Sequence, residues 1–155
     1  MIRQTDFIDV GNGTSEATHK YQASQSGSVV SIEAYPEGED FETLLKDDGR
    51  YHRKGEITFK VCVDPDNQGV RLRRRIDQSV PCQKAQVYID GQYAGCWYYG
   101  YLNEFLRWFD SDFEIHPDFT RGRNSLDVKL VIESNEKTDR DVFTDFTYTV
   151  FCYDF

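Results

Sequence analysis

No apolar run in this 155-residue chain approaches the roughly 20 residues that a membrane-crossing helix needs. Met1 to Asp6 lead into no signal-like apolar segment, so the chain as written reads as cytoplasmic. A segment taken from inside a longer secreted protein would read the same way. Cysteine pairs of the C-x-x-C kind are missing too. Cys62, Cys82, Cys96 and Cys152 have no spacing that suggests zinc, a thioredoxin-like pair or a disulfide framework. The expectation is four reduced, mostly buried thiols. Basic charge is in deficit, since 18 Lys and Arg against 27 Asp and Glu give a net charge of −9. Such a chain is poorly suited to gripping a phosphate backbone or an anionic lipid surface, so neither nucleic acid nor membrane is an expected partner. Tandem repeats, low-complexity tracts and the G-x-S-x-G, P-loop and H-E-x-x-H motifs are absent as well.

What is present is aromatic and strand-like. Aromatic residues make up 15% of the chain and hydrophobic residues 39%, too many for a disordered chain and suited to pleated surfaces. The length favours a single domain over residues 1–155 with a core that needs no metal or disulfide. Strand signals recur at short intervals. Val29 to Ile32 form a short apolar run. Ile57, Phe59, Val61 and Val63 alternate, as do Leu126, Val128, Leu130 and Ile132, and Phe146, Tyr148, Val150 and Cys152. Asp64 to Gly69 are dense in turn formers. Ala85, Val87 and Ile89 alternate into Asp90-Gly91, a type I′ hairpin signal, and Tyr93, Gly95 and Trp97 continue the return strand. Glu39 to Lys46 is the best helix candidate, one or two turns, with a strand as its alternative. Short strands separated by turns and long connections point to an all-β fold, a single jelly-roll β-sandwich with at most one short helix.

Val70, Leu72, Arg74 and Ile76 share one face of a strand, with Arg71, Arg73, Arg75 and Asp77 on the other. Arg74 is thereby placed among apolar neighbours. A buried guanidinium calls for a carboxylate, and Asp77, Asp110 and Asp145 are the candidates.

The order of motifs resembles the galactose-binding-like β-sandwiches attached to bacterial carbohydrate-active enzymes. Val87-Tyr88-Ile89-Asp90-Gly91, Gly95, Phe113-Glu114-Ile115-His116-Pro117 and Gly122-Arg123-Asn124-Ser125-Leu126-Asp127-Val128-Lys129-Leu130 carry it, over about a third of the chain. A narrower resemblance rests on Gly69-Val70-Arg71-Leu72-Arg73-Arg74-Arg75-Ile76-Asp77-Gln78, on Asp9-Val10-Gly11 with Ser15-Glu16-Ala17-Thr18-His19, and on Thr144-Asp145-Phe146-Thr147-Tyr148. These look like segments found with double jelly-roll glycoside hydrolases that act on furanosides. The resemblance implies a galactose-binding-like fold, a carbohydrate partner, and an accessory role beside a neighbouring catalytic domain more firmly than catalysis.

Four groups of residues could carry chemistry. Trp97, Tyr98, Tyr99, Tyr101, Phe105 and Trp108 crowd one span with Asn103, Glu104, Arg107 and Asp110. Aromatic faces there could stack on sugar rings while the polar groups bond hydroxyls, or the aromatics could simply close the core. Arg73 and Arg75 with Asp77 could help grip a ligand, or lie on a solvated face paired with carboxylates of the neighbouring strand. His19, in Ser15 to His19, has no metal-ligand spacing around it, and His52 and His116 read equally as structural. Many acids are present, yet nothing selects a catalytic pair. The expected function is a non-catalytic carbohydrate-binding or accessory module of a glycan-degrading system. The alternatives are an oligomerising jelly roll without a small ligand and a furanoside-acting glycoside hydrolase with its site at a subunit interface. No cofactor is expected. Such sandwiches can hold a structural calcium, but no oxygen-ligand loop here assigns one.

Overall fold

The computed structural model describes residues 1–34, 44–134 and 139–155. Among the described residues, twelve strands and two short helices follow one another: β1 (Ile2–Asp9), α1 (Gly13–Thr18), β2 (Gln22–Ala23), β3 (Ser26–Ala34), β4 (Leu45–His52), β5 (Gly55–Cys62), β6 (Val70–Asp77), β7 (Gln83–Ile89), β8 (Gln92–Tyr99), β9 (Trp108–Ile115), α2 (Pro117–Thr120), β10 (Ser125–Ile132), β11 (Phe143–Asp145) and β12 (Thr147–Tyr153). They form an antiparallel four-stranded sheet, β1-β12-β6-β9, and a five-stranded sheet, β2-β5-β10-β7-β8. These face each other as a jelly-roll β-sandwich. A third sheet, β11-β4-β3, is added at one end.

The alternation read from the sequence sets the two inner faces. Ile57, Phe59 and Val61 on β5, Val87 on β7, and Leu126, Val128 and Leu130 on β10 meet Val70 and Leu72 on β6 and Tyr148 and Val150 on β12, all nearly or wholly buried. Asp90 at φ 47° and Gly91 at φ 82° make the expected type I′ turn between β7 and β8. Most of the Glu39 to Lys46 helix candidate lies outside the described residues, and Leu45 and Lys46 open β4. Ser15 to Thr18 fall in α1 instead, capped by the Asn12 side chain, which accepts from the backbone N–H groups of Thr14 and Ser15. The four thiols are free, but only Cys152 is buried, because Cys62, Cys82 and Cys96 sit on outward-facing or turn positions.

The third sheet docks through a buried polar seam. Gly49 lies against the Phe146 ring and the Asp145 carbonyl, so close that a Cβ would be only 2.5 Å from that oxygen. Asp145 accepts from Tyr21 at 2.7 Å, from Tyr148 at 2.8 Å and from His52 Nε2 at 2.6 Å, all buried. Arg74 is fully buried as its alternation required, but among the described residues no carboxylate pairs with it. Its Nη1 donates to Gln83 Oε1 at 3.1 Å and to the Thr144 carbonyl at 2.5 Å. Its guanidinium lies 3.7 Å from the Phe143 ring centre and 5.2 Å from that of Trp97. Asp145 acts on it only through the field. Two aromatic faces and two neutral acceptors thus replace the expected acid.

Candidate functional site

Among the described strands, β8 is bonded to β7 alone and β9 to β6 alone, so each sheet has an open edge on the same flank. The two edges are tied across. Trp97 Nε1 on β8 donates to Ser111 Oγ on β9 at 2.9 Å. Gly95, at φ 140°, lets Phe113 come close: a Cβ there would stand 3.2 Å from the Phe113 ring.

The segment after β8 is held over this flank by Gln78. The Gln78 N–H donates to the Arg107 carbonyl at 2.7 Å, and the Asn103 N–H donates to the Gln78 carbonyl at 3.0 Å. Tyr99 donates to Gln78 Oε1 at 2.7 Å. Asn103 Oδ1 turns the segment by accepting from the backbone of Phe105 and Leu106. The result is an open groove of about 610 Å³, lined by Gln78, Tyr98, Tyr99, Tyr101, Leu102, Asn103, Phe109, Asp110, Ser111 and Asp112. Tyr98, Tyr101 and Leu102 are 58%, 76% and 52% exposed, so apolar surface faces solvent beside amide and carboxylate groups.

The sequence-predicted residues divide into three sets. Tyr98, Tyr99, Tyr101, Asn103 and Asp110 line the groove, Tyr99 with little of its ring accessible. Glu104 is exposed and lies outside the lining. The rest are committed elsewhere. Trp97 is core. Trp108 is buried because the third sheet covers its end of β9; its Nε1 donates to the carbonyls of Ala34 and Leu45 at 3.1 and 3.2 Å. Asp77, also buried, accepts from Tyr51 and from Ser79, and Arg107 approaches it at 3.5 Å. Arg73 grips Asp112 with two hydrogen bonds, at 2.8 and 2.9 Å, and Arg75 pairs with Asp47 of β4 at 2.7 Å. The arginine strand is therefore the carboxylate-paired face, with one acid coming from the added sheet.

Sequence reasoning missed Gln78, Leu102, Phe109, Ser111 and Asp112. A face assignment along β9, where Phe109 and Ser111 point inward and Asp110 and Asp112 outward, would have found three of them. The histidines are structural. His19 sits between the Ser15 carbonyl and Asp6, His52 on Asp145, and His116 caps α2. Among the described residues no three His, Cys, Asp or Glu side chains gather as a metal site. The groove supplies stacking faces, an amide and acceptor oxygens, a set that can hold a hydroxylated ring.

No protein-family model matches the sequence, and no curated protein does either. Solved structures match the fold. A family 35 carbohydrate binding module from Clostridium thermocellum superposes with a TM-score of 0.60 at 8% identity, covering 99% of each chain. A carbohydrate binding module from Cellvibrio mixtus lichenase 5A, solved with cellotriose, gives 0.60 at 8% identity and covers 99% of this chain and 100% of its own. The ANXUR2 extracellular domain of Arabidopsis thaliana gives 0.59 at 8% identity, with 99% of this chain on 50% of that one. At such identity the likeness establishes the shared β-sandwich.

Proposed function

We propose that this chain is a non-catalytic carbohydrate-binding or accessory module of a glycan-degrading system, working beside a catalytic domain. The observation that carries this reading is the groove between the open edges of β8 and β9. There the exposed Tyr98 and Tyr101 stand beside Asn103, Asp110 and Asp112. Sugar rings offer apolar C–H faces to aromatics and hydroxyl donors to carboxylates, and this lining matches both. Similarity of fold to carbohydrate-binding modules supports it. An open groove buries little of a short glycan, so affinity is expected in the millimolar to micromolar range.

Calorimetry against a panel of oligosaccharides tests the reading. Tyr101→Ala and Tyr98→Ala should each weaken binding about tenfold, in line with the loss of one aromatic contact, and leave the melting temperature within a few degrees. Binding that both variants retain in full would place the site elsewhere. Aryl furanosides should not be turned over.

A further inference from the structure

Charge in the groove is unbalanced in one direction. Asp110 and Asp112 both line it, and the arginines nearby are already engaged. Arg73, within electrostatic range of Asp110, is held by both oxygens of Asp112. Arg75 is the cross-strand neighbour of Asp110, yet its guanidinium turns to Asp47. Arg107 approaches Asp77. Asp110 is exposed and has no hydrogen-bond or ion-pair partner among the described residues. One carboxylate charge therefore remains uncompensated beside the apolar faces of Tyr98 and Tyr101.

Resting on the proposed glycan site, we infer that Asp110 makes this groove selective for cationic amino sugars. A protonated sugar amine sits on Asp110 while the ring face stacks on tyrosine, neutral sugars bind more weakly, and uronic acids are excluded by like charge. An exposed ion pair of this kind is worth up to about a fivefold change in affinity, and salt screens it.

The test compares three trimers on the whole chain in mildly acidic buffer: glucosamine, its neutral N-acetyl counterpart, and galacturonic acid. Glucosamine trimer should bind about fivefold tighter than the neutral trimer, with the uronate weakest, and added salt should narrow the spread. Asp110→Asn should collapse this order. Asp118→Asn removes the same charge from α2, beyond the far end of β9, and should preserve it, which separates the groove from the general attraction of a −9 chain for cations. A uronate that binds as well as the neutral trimer overturns the inference, as does an order that Asp110→Asn leaves intact. Both outcomes leave the glycan site standing. Failure of all three trimers to bind overturns that site and the inference together.

Discussion

Replacing Arg74 by methionine should change stability very little, although the side chain is fully buried at the centre of the molecule. Burial lowers its pKa from the ordinary guanidinium range to about 10, with the fields of Tyr148 and Asp145 opposing the shift. At about 1.4 kcal/mol for each tenfold loss of proton affinity, that lowering makes the buried charge cost about 3 kcal/mol. The sign follows from proton counting. Between about 10 and the higher pKa of an unburied arginine the unfolded chain binds the extra proton, so the cost is fully present below that window and is relieved only as pH rises through it. Nε and Nη2 have no hydrogen-bond partner among the described residues, so little offsets it. Methionine removes the charge and keeps an apolar body between Phe143 and Trp97. It leaves the Thr144 carbonyl short of one donor, at about 1–3 kcal/mol, while Gln83 Oε1 still accepts from Thr144 N and Oγ1. The net change should lie within about 1.5 kcal/mol of zero. Arg74→Ala also opens a cavity between the rings and should cost about 3–5 kcal/mol. Urea unfolding of both variants at neutral pH decides this. If Arg74→Met lost as much as Arg74→Ala, ring contacts and the Asp145 field would outweigh desolvation, and the reasoning would fail.

Two further perturbations address the same seam. Burial acts to raise the Asp145 pKa, but the His52 interaction and the hydrogen bonds from Tyr21 and Tyr148 hold it below its ordinary 3.8, so its contribution is present above that value and is lost as pH falls through the lower folded value. Asp145→Asn puts a carboxamide N–H₂ in place of one acceptor oxygen, against either the two tyrosine hydroxyls or His52 Nε2, and should cost about 3–5 kcal/mol in urea unfolding at neutral pH. Gly49→Ala should cost about 1–3 kcal/mol because a Cβ meets the Asp145 carbonyl and the Phe146 ring, whereas Gly13→Ala, with nothing within 4 Å, should be neutral or slightly stabilising in the same thermal melts.

Most strands of the two main sheets were legible because each hides one face; the largely polar edge strand β1 and the two-residue β2 were not. Period-two alternation on β5, β7, β10 and β12 reads directly as inner and outer positions, and Asp90-Gly91 pins one hairpin register. In the third sheet the apolar run Val29 to Ile32 marked β3, but most of β4 carried no signal. In β4, Leu-Lys-Asp-Asp-Gly-Arg-Tyr-His, only Gly49 and His52 are buried, so no apolar period marks it. That one omission accounts for two misplaced residues. Asp77 and Trp108 are cross-strand partners at the end of the first sheet that β3 and β4 cover, so outward position there means burial. The missing acid beside Arg74 has a different cause. A rule that a buried cation needs a carboxylate neglects aromatic faces, and the nearest, Phe143, comes from β11, a strand of three residues.

The added sheet also reaches the groove without lining it. In a plain antiparallel ladder Arg75 would lean on Asp110, directly opposite on β9, as Arg71 does on Glu114 and Arg73 on Asp112. Asp47 of β4 intercepts it on the covered end of the sheet. Three arginines and three acids that look balanced along β6 and β9 are therefore one cation short at the position that borders the tyrosines. The seam that buries Trp108 and the charge that distinguishes Asp110 are two consequences of the same docking. The inferred preference of the groove for a cationic sugar therefore rests partly on a strand that contributes no side chain to it.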